Sequence, residues 1–314
     1  MKKFALYNYQ FERIVEPDDE LKLEFPNWKY VNPDESFEHK QELFGQLFPT
    51  DAIKMLPFEF WCGKKFYIHK LIIPPTEDGI VVFNLSNKKI GHRTNANQEK
   101  EDYDDYPYVM IIIDNRPGVQ RILIEQNGTV FRDPKTPAKI LQTVFNKQLR
   151  RYLLTIELYA QYPAKDFWKE VHKHPEGFRK VIFHLPHLNL ERLAKVTDKY
   201  FNVARQDWDS ELDFAFTAPK GGVVRLDENN LRQKALTECM SMTGMPTSSD
   251  KRSIEMVTAG ETKKHIWVGR DSYLTIHLAD GIVGSLTSSQ LEAINDENPV
   301  NRLTKKLDEI NVNN

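Results

Sequence analysis

Residues 108–126 constrain this chain most. Two apolar runs, Tyr108 to Asp114 and Val119 to Gln126, are separated by Asn115-Arg116-Pro117-Gly118. Adjacent proline and glycine suit a type II turn: proline presets φ at the first central position and glycine accepts the positive φ of the second. Short apolar runs around such a turn predict an antiparallel hairpin, and Asn127-Gly128 supplies the turn signal that closes its second strand. Any fold of this chain has to hold a sheet at that point.

The same grammar runs through the N-terminal part. In Phe4 to Val15, Ala5, Tyr7, Tyr9 and Phe11 alternate with more polar positions, which predicts a strand. Pro17, Pro26 and Pro33 then punctuate an acidic segment. Glu35 to Phe48 carries Phe37, Leu43, Phe44, Leu47 and Phe48 as one helical stripe. Lys65 to Ile73 and Ile80 to Ile90 are predicted strands around the turn Pro74 to Gly79. The run Glu99 to Tyr106 is acidic and reads as a mobile, solvated connection rather than a cation site, since it lacks EF-hand spacing.

After residue 133 the pattern changes. Pro137 to Tyr152 is a predicted helix, with Ile140, Leu141, Val144, Phe145 and Leu149 at spacings of three and four. A strand (Leu153 to Tyr159), a helix (Ala164 to His174), a strand (Lys180 to Leu185) and a helix (Leu190 to Ala204) follow. Strands at Leu212 to Thr217 and Val223 to Leu226 precede a helix at Glu228 to Met242. Strands are expected at Ser253 to Thr258, Lys264 to Val268 and Tyr273 to Leu278, and helices after Gly284.

The alternation from 137 to 242 predicts an α/β layer, and the hairpins on either side predict antiparallel pairing. The fold class expected is α+β, with N-terminal antiparallel hairpins, a central strand-helix alternating region and C-terminal strands plus terminal helices. The expected division is a mainly β region 1–133 and an α/β region 134–314, or one compact domain.

Composition removes several classes. With 40% apolar and 11% aromatic residues among 314, the chain has material for a core and is not a disordered tract. Two cysteines, Cys62 and Cys239, exclude a disulfide framework and a zinc site of four thiolates. Both read as buried and inert. There is no run of 18 apolar residues and no apolar leader after Lys2-Lys3, so a cytoplasmic protein without membrane contact is expected.

Net charge is −2 overall but unevenly spread: residues 1–115 hold 14 basic and 20 acidic side chains, 116–205 hold 17 and 8, and 206–314 hold 12 and 17. A cationic middle third inside a slightly acidic protein points to an anionic partner, because clustered Lys and Arg displace counterions from phosphates. The competing expectation is that the flanking acidic thirds neutralise it. Arg116 and Arg121 of the hairpin, with Lys139, Lys147, Arg150 and Arg151 of the next helix, are the candidate nucleic-acid contacts.

Catalytic signatures are missing. No Walker A loop, no G-x-G-x-x-G, no G-x-S-x-G elbow and no H-E-x-x-H occurs. The best carboxylate pair is Asp114 and Glu125 on the two hairpin strands, which together could hold a divalent metal for phosphodiester cleavage. Against it, Asn127 stands where such nucleases place a lysine, and hairpin pairing sets the two acids toward opposite ends. His172, His174, His184 and His187 could ligate zinc with Asp166 or Asp198, although a histidine ending a helix also answers the helix dipole.

The functional expectation is a non-enzymatic binding or assembly protein contacting nucleic acid or an acidic protein surface. Its expected setting is a bacterial multi-protein complex such as a phage-defence system, for which no motif speaks. No cofactor is expected. The alternatives are the metal-dependent nuclease and an oligomerisation or partner module, a homo-oligomer included, using the stripe Val300, Leu303, Leu307 and Ile310.

Overall fold

A computed structural model of the chain describes residues 1–48, 58–62, 65–77, 79–116, 119–185, 212–246, 254–259, 264–268, 272–287 and 299–312. The class is α+β, and every strand pairing given a register below is antiparallel. Two compact units form, Met1–Glu157 with Thr275–Asn314, and Leu158–Leu274. The change of grammar near residue 133 falls inside the first.

The hairpin sits at the centre of the first unit. Strands β7 (Tyr108–Asp114) and β8 (Arg121–Glu125) pair with Ile112 opposite Leu123 and Asp114 opposite Arg121. β4 (Ile80–Asn87) flanks β7, and β1 (Lys2–Arg13) flanks β8. The sheet continues outward through β3 (Lys65–Ile73) to β2 (Phe58–Cys62), and on the other side β9 (Leu154–Ala160) and β15 (Thr275–Leu278) border β1. β8 is buried throughout and β7 from Val109 onward, so both sheet faces are covered here. That is why their apolar runs are nearly continuous rather than alternating.

Helix α4 (Lys135–Leu149) covers one face. Phe145 meets Phe44 at 5.0 Å and Phe48 at 5.8 Å, and Phe48 meets Phe83 of β4 at 5.9 Å. Each of these rings contributes about 1.5–3 kcal/mol by leaving water. His69 of β3 lies 5.3 Å from the Phe83 ring in an edge-on contact, and burial lowers its pKa to about 4.

The helix expected over Glu35 to Phe48 is divided. α2 (Pro33–Glu38), capped by the Asn32 carboxamide, stops at His39, where φ −94° and ψ 15° leave the helical well, and α3 (Lys40–Gly45) resumes. Downstream, α7 (Asp280–Thr287) packs on β3, and α8 (Pro299–Val312) packs on α7. Val300, Leu303 and Leu307 of α8 are buried, so the stripe considered for oligomerisation is spent inside its own unit, while the Ile310 side chain lies outside the described set.

The acidic run near residue 100 is not a loose connection. It forms β6 (Lys100–Asp105), paired with β5 (Lys89–Thr94) as an exposed two-stranded hairpin. Cross-strand charge pairs account for this: His92 Nδ1 lies 2.6 Å from Asp102, Arg93 donates to Glu101 at 3.0 Å, and Lys88 approaches Asp104 at 2.6 Å. Opposite charges facing across strands add a few tenths of a kcal/mol to about 1 each, enough to order a strand that repels itself when alone.

The second unit has its own sheet in the order β11 (Leu212–Thr217), β10 (Phe178–Leu185), β13 (Ile254–Thr258), β14 (His265–Trp267). Its core joins Phe167, Trp168 and Val171 of α5 (Ala164–Lys173) and Met240 of α6 (Leu231–Thr243) to Val181, Phe183, Ile254 and Met256. β9 and β10, which flank α5 in the chain, belong to different sheets. At that step the expected strand–helix alternation makes no crossover within one sheet, whereas β8 and β9, on either side of α4 in the chain, both border β1, and β11 and β13, on either side of α6, both border β10.

Gly244 ends α6 with φ 82°, and a Cβ there would lie 2.4 Å from the Ala160 carbonyl oxygen, so β12 (Met245–Pro246) could not reach the end of β9 with a larger residue. The strand expected at Val223 to Leu226 is reduced to one bridge between Phe178 and Val224. The helix expected at 190–204 lies outside the described residues, as do the turn residues Pro117 and Gly118. No helix among the described residues is long and apolar enough to cross a membrane.

Candidate functional site

The six cations singled out from sequence are sorted by the fold into two groups. Ile140, Leu141, Phe145 and Leu149 turn the apolar face of α4 toward the sheet, so its opposite flank must face water. Lys139 and Lys147 are exposed on that flank, and Arg151 is exposed just beyond the helix. Thr143 stands between the two lysines, so the positions follow one another at four-residue intervals. Such a row drifts only about 40° per step around the axis, and Lys139 and Lys147 stand roughly 12 Å apart along it. Arg151 rests its guanidinium 4.7 Å from the Tyr152 ring. Among the described residues no carboxylate pairs with Lys139, Lys147 or Arg151. Lys135, one step earlier in the row, is half-buried.

The other three cations are turned inward or matched. Arg150 donates to Asp18 at 2.6 Å and stands 3.7 Å from Glu20, two acids supplied by the proline-punctuated segment. Arg121 is only 6% exposed, held opposite Asp114 by the register of the hairpin. Arg116 is clamped by Asp114, whose carboxylate accepts its Nε at 2.8 Å and its Nη2 at 2.7 Å. The third guanidinium nitrogen, Nη1, reaches Asp308 of α8 at 2.8 Å. Hydrogen bonds donated to Asp114, and then to Asp308, hold the Arg116 guanidinium charged far above any accessible pH. The acidic flanking thirds thus do neutralise part of the basic segment, and of the six candidate cations they leave Lys139, Lys147 and Arg151 without an acidic partner among the described residues.

Asp114 and Glu125 do not form a metal pair. Asp114 faces Arg121, four residues before Glu125, so the two acids sit about 13 Å apart along the strands. Each has its own partners: Glu125 accepts the Met110 backbone N–H at 2.9 Å and approaches the Lys2 amine at 2.9 Å. Among the described residues no cluster of three or more His, Cys, Asp or Glu could hold an ion.

The histidines are likewise dispersed. His172 meets Glu228 at 3.3 Å, His174 meets Glu176 at 2.9 Å, and His184 meets Asp213 at 2.7 Å, each with a different acid. The His174 contact lowers the Glu176 pKa. His187 and Asp198 lie outside the described residues, as do the surroundings of the Cys62 and Cys239 side chains.

A second feature emerges where β7 ends. Asn115 is fixed on three sides: the Tyr9 hydroxyl donates to its Oδ1 at 2.6 Å, its Nδ2 donates to the Gln41 carbonyl at 2.8 Å, and its N–H donates to the Gly79 carbonyl at 2.9 Å. Gly79 has φ 73°, and a Cβ there would press on the Asn115 backbone at 3.2 Å. Burial, and then the nearby Asp114 charge, raise the Tyr9 pKa, so this hydroxyl stays a donor. Above the network opens a cleft of about 590 Å3 lined by Gln41, Glu42, Glu77, Asn115 and Arg116 among others. Asp308 and Asp18 were not singled out from sequence, since their partners Arg116 and Arg150 lie far away along the chain. The acidity of residues 16–20 was the available signal for Asp18, and nothing local signalled Asp308.

Compared with protein-family models and with curated proteins, the chain matches neither a family nor any single protein.

Proposed function

We propose that this chain is a non-enzymatic binding protein that holds the phosphate backbone of a nucleic acid on the outer flank of α4, through Lys139, Lys147 and Arg151. The supporting observation is the contrast within one basic stretch: Arg116, Arg121 and Arg150 are buried or matched by acids, whereas these three are exposed, spaced eight and four residues apart, and have no acidic partner among the described residues. Charges left unmatched on one flank raise the local potential and attract polyanions without reading bases. Asp114 and Glu125 take no part in this reading, because each is engaged by a cation at its own end of the hairpin.

The test replaces Lys139, Lys147 and Arg151 together by glutamate and measures binding of duplex DNA and duplex RNA at low salt. Loss of binding supports the reading. Binding that survives the triple replacement, or a parent that binds neither duplex, overturns it, and binding of an acidic protein instead would transfer the flank to another class of partner.

A further inference from the structure

The cleft at the end of β7 has a polarity that a purely structural ion pair does not need. Its base is Arg116, held in plane by a two-bond fork to Asp114, a carboxylate with no solvent exposure. The guanidinium cannot rotate, so its remaining edge points in a fixed direction. That edge holds Asp308, whose side chain is 54% exposed on a surface helix. Exposed pairs of this kind are weak, because water and salt compete for both partners. The inner carboxylate is therefore permanent and the outer one exchangeable.

Asp308 is not among the residues that line the cleft, and those that line it with Arg116 decide what could compete with Asp308 for the guanidinium. Glu42 and Glu77 stand at the cleft with Asn115, whose position is fixed by Tyr9 and by the Gln41 and Gly79 carbonyls. Two glutamates disfavour a phosphate dianion or a nucleic acid and favour a ligand that carries a cation beside its anion. One oriented arginine edge with nearby acids is complementary to a zwitterion.

We propose that this cleft binds a small zwitterion of the α-amino acid type. Its carboxylate takes the outer edge of Arg116, its ammonium faces Glu42 and Glu77, and Asp308 is the internal group that it displaces. Replacing Arg116 is a poor test, since it strands Asp114 in the interior. Asp308→Asn leaves the inner fork intact and removes the competing charge.

The experiment is calorimetric titration of the full chain and of the Asp308→Asn variant with each of the common free amino acids, with acetate and inorganic phosphate as the other probes. The expected result is binding of at least one amino acid by the parent, tightened up to about fivefold in Asp308→Asn, with neither acetate nor phosphate matching it. In the double variant Glu42→Gln, Glu77→Gln, the preference over acetate should vanish. If no amino acid binds Asp308→Asn, if that variant binds more weakly than the parent, or if phosphate binds best, the proposal is overturned and Asp308 only fastens the C-terminal helix.

Discussion

Replacing Arg116 by methionine isolates the inner half of its charge network. Asp114 has no solvent exposure and takes two hydrogen bonds from this one side chain, so the variant leaves a carboxylate in the interior without its fork. Stripping one partner from a buried pair costs about 3–5 kcal/mol. Asp308→Asn removes the outer contact instead, where the carboxylate is 54% exposed, and should cost about 1 kcal/mol or less. The double replacement Asp114→Asn, Arg116→Met removes both members of the fork, with the buried Arg121 still opposite residue 114, and should recover part of the loss. Urea unfolding followed by fluorescence and circular dichroism measures all three. Equal losses for Arg116→Met and Asp308→Asn would mean that burial is not what separates the two carboxylates.

Two further outcomes follow from the first unit. His69 has a pKa near 4 in the fold against about 6.5 in an open chain, so acid protonates the unfolded state first; stability should fall as pH drops from about 6.5 toward 4, by roughly 3 kcal/mol in all, and His69→Leu should flatten that part of the profile, whereas an unchanged profile would exclude His69 as its source. Leu303→Ala should cost about 2–5 kcal/mol with no change of mass by light scattering, since this side chain has no solvent exposure in its own unit; a shift in mass at unchanged stability would return the stripe to oligomerisation.

Much of the backbone was legible in the sequence, because period and punctuation are local signals. The apolar run at 108–114, the stripe of α4 and the α5 helix all carry their periods in a few residues. The failures are non-local. The acidic segment at 100–105 became a strand only because Lys88, His92 and Arg93 lie opposite it. Arg150 was unmatched in any local window, yet its acid lies 132 positions away at Asp18. Arg121 looked like a surface cation, but its register opposite Asp114 in a sheet covered on both faces put it inside. Which charges share a face is set by tertiary pairing, so three of the six expected contacts could not have been sorted from the other three beforehand.

The salt dependence of duplex binding tests the role of the α4 flank most directly. Each cation that meets a phosphate releases counterions and contributes about 0.9 to the slope of log affinity against log salt. The variant Lys139→Ala, Lys147→Ala, Arg151→Ala should show a slope shallower by about 2.7 than the parent. The parent should then lose about 40-fold more affinity than the variant between roughly 50 and 200 mM salt. Parallel slopes for the two proteins would contradict that role.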